Sequence, residues 1–122
     1  MRGEIISWVG GSHEFALSVP DLEALQSRCG GDGVGEIHHR LSVGRYSVQD
    51  VLATVSLGLE SSEITKIRAV EMTRDAAEDH GLNKLSLVAL AVLSSALHGW
   101  PEDDLKDQGD ALGGAGVETP ES

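Results

Sequence analysis

Five histidines, one cysteine and twenty carboxylates are the groups in this 122-residue chain with chemical potential, and their spacing decides what they can do. His38-His39 invites a metal reading, but neighbours on a helix point about 100° apart and do not converge on one ion. The pair reads as solvated. His13, His80 and His98 stand alone, and no HExxH pattern sets two imidazoles and a general base on one helical face. Their expected role is structural. Gly30-Gly31-Asp32-Gly33-Val34-Gly35 has the glycine density of a phosphate loop, yet it follows a helix, lacks a Lys-Ser/Thr ending and fits no GxGxxG frame. It reads as a connector. In the acidic C-terminal stretch, a calcium loop with Gly109 at the turn would need carboxylates where Lys106 and Gln108 stand, and a bidentate acid where Ala115 stands. Cys29 has no partner nearby in sequence to lower its pKa, and no serine sits in a GxSxG elbow. Carboxylate pairs such as Glu102/Asp103 lie where nothing excludes water to raise a general acid's pKa. The sequence therefore predicts no enzyme, no metal and no cofactor.

Composition narrows the class further. The chain is 40% hydrophobic but only 3% aromatic, and its net charge of −11 argues against binding a phosphate backbone, which needs clustered Lys and Arg. Nucleic acid is not an expected partner. A lone cysteine forms no internal disulfide and favours a cytoplasmic setting. No apolar run reaches the roughly 18 residues of a membrane span, and the first ten residues lack the segments of a signal peptide. No membrane association is expected.

The elements that must position any functional surface are legible in chain order. Ile5 to Val9 and His13 to Val19 are β-favouring runs around Gly10-Gly11, which predicts a hairpin with those glycines as its loop. That register pairs Trp8 with His13, Ile6 with Phe15 and Glu4 with Leu17, and puts Ile6, Trp8, Phe15 and Leu17 on one face. Two strands are marginal alone, so this face must be covered. Pro20 and Asp21 after Ser18 mark a helix start, and Gly30-Gly31 its end. A short helix is expected over Val34 to Val43, closed by Gly44. Ser47 to Asp50 fits a capping pattern before Val48, Val51, Leu52, Val55 and Leu59. Ser62 to His80 is a more polar helical stretch, and Asn83 is expected to cap a final helix reaching about Leu97. The apolar belt of that helix, from Leu85 to Leu93, is wide enough for a central position.

The predicted fold is α+β and mainly α: one domain over 1–100, with a hairpin at about 4–19 and four to five bundled helices at about 20–98. Residues 101–122 form an acidic tail, expected to be disordered, whose seven acids and one base hold six of the eleven net negative charges.

Arg2-Gly3-Glu4, the Gly10-Gly11 hairpin, a leucine-rich helix ending in glycine and a second short helix occur in sequence. Arg45-Tyr46-Ser47-Val48-Gln49-Asp50-Val51-Leu52 and Gly58-Leu59 complete the series. In this combination the chain resembles the small tail protein of alphaproteobacterial gene transfer agents and related phages, a group placed with phage tail assembly chaperones. The likeness is closest over residues 2 to 60. It implies a chaperone that binds the helical tape measure protein, with the tail tube protein as a further partner and self-association open. A structural tail subunit is the first alternative. A small helical regulator or adaptor, with Ser47 to Leu59 and Ser62 to His80 imitating a helix-turn-helix, is the second. Candidate contact residues are Ile6, Trp8, Phe15 and Trp100, for each of which core packing is the competing role.

Overall fold

The computed structural model describes residues 3–99, so Trp100 and the acidic tail expected over 101–122 lie outside the described residues. Two antiparallel strands, β1 (Glu4–Trp8) and β2 (Gly11–Phe15), lead into five helices. These are α1 (Val19–Arg28), α2 (Val34–Val43), α3 (Val48–Leu59), α4 (Lys66–His80) and α5 (Leu82–His98). The expected hairpin followed by a helical bundle is the observed architecture.

Local chemistry accounts for the element boundaries. Ser18 and Ser47 each close a capping box: the serine Oγ accepts from the backbone N–H of Asp21 or Asp50, and that aspartate accepts the serine's own N–H. The first turn of α4 is held differently. Ser61 Oγ accepts the N–H groups of Glu63 and Ile64, which folds 61–64 into a turn and hands the cap to Thr65. This helix therefore starts at Lys66 rather than at Ser62. Asn83 lies inside α5, where its side chain accepts the Tyr46 hydroxyl, and Gly81 holds the N-cap position instead.

The hairpin loop also differs from expectation. Trp8 pairs with Gly11 and Ile6 with His13, so the two loop residues are Val9 and Gly10. A Cβ on Gly10 would lie 2.5 Å from the Trp8 ring, and Gly11 has φ +121°. Placing the bulky indole over one glycine and across from another packs it where no side chain competes. The shift by two residues keeps Ile6, Trp8 and Phe15 on the inner side, but β2 ends at Phe15 rather than Val19, so Leu17, expected opposite Glu4 on the same strand face, is buried from the segment between β2 and α1 instead.

α3 is the helix buried on almost all sides, packing on α1, α2, α4, α5 and β2. Val51, Val55 and Leu59 are fully enclosed, each burial favouring the fold by roughly 1.5–3 kcal/mol. α5 shares the centre, against α3, α2, α4 and β1, but its belt does not close, because Leu87 is 68% exposed. Gly58 on α3 lets the hairpin approach: a Cβ there would sit 3.1 Å from Phe15 and 3.2 Å from Val92, both fully buried. Gly58→Ala should consequently destabilise by about 1–3 kcal/mol in urea unfolding, although alanine is the better helix former. A stabilised variant would show that Phe15 and Val92 yield.

Candidate functional site

Two surfaces and one ion-pair cluster are the features from which a function could be built. On the hairpin's inner side, Phe15 is fully buried, while Ile6 and Trp8 are partly buried against the core. Trp8 meets Phe15 edge-on at 5.7 Å and donates Nε1–H to His13 Nδ1 at 2.9 Å. The structure thus brings three of the four candidate contact residues together, with Phe15 beneath and Ile6 and Trp8 reaching the surface. Trp100 lies outside the described residues. The hairpin's outer side carries Ile5, 75% exposed, and Val9, with the Ser7 and Ser12 hydroxyls hydrogen-bonded at 2.8 Å. A second apolar surface is a groove of about 240 Å³ between α3, α4 and the start of α5, lined by Val48, Leu52, Ala77 and Leu82 with Arg74 and Glu78.

Exposed Ile5, Val48, Ile67 and Leu87 did not stand out as surface residues in the sequence. Val48 and Leu87 carry the helical spacing of buried positions, and only the packing of neighbouring helices decides which side of such a stripe is covered.

The ion-pair cluster is central rather than superficial. Asp50 is fully buried and accepts Arg40 Nε and Nη2, each at 2.8 Å, while Arg40 Nη1 reaches Asp32 at 2.8 Å. Burial alone would raise the Asp50 pKa, but the Arg40 guanidinium, the Ser47 N–H and the Cys29 thiol outweigh it and hold the carboxyl below its ordinary value. The same carboxylate raises Arg40 further. Fully buried and held by Arg40 and the Ser47 N–H, Asp50 ties α2 to the start of α3.

Cys29 sits beside this pair, its thiol facing the Gln49 carbonyl at 3.8 Å. Burial and the neighbouring Asp50 carboxylate push its pKa up to about 12. Thiolate reagents at pH 8 should therefore label Cys29 only as the chain unfolds, a rate readable by Ellman-type absorbance. Rapid labelling of the native protein would contradict this burial.

His38 is not simply solvated. It hydrogen-bonds Ser94 Oγ at 2.8 Å and lies edge-on to His98 at 6.2 Å, so it joins α2 to α5. Of the Gly30-to-Gly35 stretch, Gly30 to Gly33 join α1 to α2 as expected, while Val34 and Gly35 already belong to the first turn of α2. Among the described residues no three His, Cys, Asp or Glu side chains gather as a metal set, and no helix is long and apolar enough to cross a membrane.

The chain is thus a helical bundle bearing a hairpin, with apolar surface on the hairpin and in the α3–α4–α5 groove and with a buried Asp50–Arg40 ion pair. The family comparison makes the assignment specific. Residues 2–99 match the family described as phage tail tube protein, GTA-gp10, and the chain belongs to that family. No curated protein and no solved structure matches it. The likeness to gene transfer agent and phage tail proteins noted in the sequence is thereby established, and the protein has a phage-type tail role.

Proposed function

We propose that this protein acts non-catalytically in formation of the tail tube, as a component that binds other tail proteins, including further copies of itself. The family match across residues 2–99 carries this reading, and its description favours a tube subunit over the chaperone expected from the sequence. The exposed Ile5 and Val9 of the hairpin and the Val48–Leu82 groove are compatible with such contacts.

One observation favours the second reading, an assembly chaperone for the tape measure protein. Only two strands are present among the described residues, and the remaining elements are helices. An acidic helical domain with an apolar groove suits temporary cover of amphipathic helices better than a lattice built on sheet. The regulator reading has less behind it, because α3 is buried by its neighbours and the 61–64 turn separates it from α4.

Quantifying the protein in purified particles separates the two main readings. A subunit persists at many copies per particle, whereas a chaperone is depleted from particles and pulls down the tape measure protein from producing cells. Deletion with no defect in tails would overturn both.

A further inference from the structure

Two recesses adjoin where α4 packs on α3. The smaller, of about 50 Å³, is bordered by Arg28 at the end of α1, Gln49 on α3 and Arg74 on α4, and by no carboxylate. The Ser56 and Thr73 hydroxyls beside them already donate to the Ala53 and Ala69 carbonyls, which leaves the two guanidinium groups to receive an anion. Among the described residues neither arginine is in an ion pair, whereas Arg40 and Arg68 are. The larger recess is the apolar groove of about 240 Å³, and Leu52 and Arg74 border both. Together they suit a carboxylate with an apolar side chain next to it, the first for the arginines and the second for the groove.

Leucine follows an acid at two places beyond the described residues, Asp104-Leu105 and Asp110-Ala111-Leu112. Chain length chooses between them. Leu82 in the first turn of α5 borders the groove, and the chain leaves that helix after His98, about 24 Å away along its axis. The seven residues from His98 to Leu105 reach at most about 25 Å, with no slack for a path over the surface. The fourteen from His98 to Leu112 reach at most about 50 Å and have a root-mean-square span of about 20 Å if unstructured, as their composition predicts. That span is close to the distance to be bridged, where a tether gives its highest effective concentration.

We propose that Asp110 to Leu112 docks in these recesses of its own chain, the Asp110 carboxylate between Arg28 and Arg74 and the Leu112 side chain against Leu52 and Leu82. In an extended segment both side chains face the protein, with Ala111 directed outward. Charge favours this place, because 101–122 hold six of the eleven net negative charges and acidic surface elsewhere repels them. Glu78 borders the groove but not the smaller cleft, so it directs the acid to the arginines and leaves the groove to the leucine. A docked segment covers the groove offered above to other tail proteins and so competes with them. That consequence rests on the tail-component reading; the docking does not.

The contact is small, but at a millimolar effective concentration a contact of millimolar affinity is about half occupied. The test places a nitroxide spin label on Gly114→Cys in the full chain, where buried Cys29 stays unlabelled. The amide signals of Leu52, Arg74 and Ala77 are expected to lose at least roughly half their intensity relative to the reduced label, independently of protein concentration. Leu112→Ser, or Arg28→Gln with Arg74→Gln, should restore most of that intensity with helical circular dichroism unchanged, and high salt should restore part of it.

No selective broadening at the groove, or broadening that persists in Leu112→Ser and in the arginine variant, overturns the proposal. So does broadening seen only between spin-labelled and isotope-enriched copies in a mixed sample, which would assign the groove to a second copy. Should the arginine variant misfold, Leu112→Ser decides, since it changes no residue of the bundle. Absence of docking in a protein still needed for tails would sink the docking and leave the tail reading intact. Docking in a chain dispensable for tails would do the reverse.

Discussion

Asp50→Ala is expected to destabilise the protein by about 3–5 kcal/mol, the cost of removing one partner from a buried ion pair. The Arg40 side chain is only 20% exposed, so its guanidinium would lose two hydrogen bonds without gaining equivalent water. The Ser47 N–H loses its acceptor in the same step, which removes half of the α3 capping box. In chemical denaturation the midpoint should fall while the slope stays the same. The pH dependence has a definite sign. Because folding holds the Asp50 pKa below the ordinary value of about 3.9, the pair's contribution is complete above that value and is lost as pH falls through the folded-state pKa. The Asp50→Ala variant should lack that part of the acid-induced loss. An Arg40→Met, Asp50→Leu double variant should recover most of the deficit, because well-packed apolar residues often replace a buried pair without loss. A cost below about 1 kcal/mol for Asp50→Ala would mean that the pair contributes little.

Phe15→Ala should have an effect of similar size, about 3–5 kcal/mol, through a different cause. Phe15 is the one fully buried aromatic ring of the hairpin, lodged against Gly58 and Val92 and under the edge of Trp8. Its removal opens a cavity at the contact between sheet and helices. Since α3 and α5 pack on one another independently of that ring, the helices should outlast the hairpin on mild denaturation. With Trp100→Phe as background, Trp8 emission should shift to the red before helical circular dichroism is lost. Coincident loss of both signals would instead show that the hairpin and bundle unfold as one unit.

Features carried by short-range chemistry were legible in the sequence. The capping boxes at Ser18 and Ser47 need only an aspartate three residues on, and the bounds of α2 follow from its apolar spacing and Gly44. Where competing local signals exist, tertiary contacts chose between them. Two adjacent glycines offered two loops, and the Trp8 ring selected the one that puts Gly10 beneath it. Asn83 resembles a cap but is engaged by Tyr46 from 37 residues away. Likewise, nothing in the order of residues links Arg40 to Asp50 or His38 to Ser94, because those pairings depend on how α2 lies against α3 and α5. The shared inner face of Ile6, Trp8 and Phe15 was readable from strand alternation alone. Which of the three remains uncovered was not, since burial of Phe15 depends on a gap left by Gly58 on a distant helix.

Ser95 Oγ donates to Glu4 Oε1 at 2.7 Å, joining the first strand to the last helix. The backbone is thus nearly a ring, open at one pole, and the order in which its elements are strung is not dictated by where they sit. A short glycine-serine bridge from about residue 98 back to residue 3 would let the chain be recut between Gly30 and Gly31, where an added Cβ would touch nothing within 4 Å. Such a circular permutant would keep the contacts between helices while relocating both ends to the α1–α2 connector, beside the Gly31 N–H bond to the Gln26 carbonyl that closes α1.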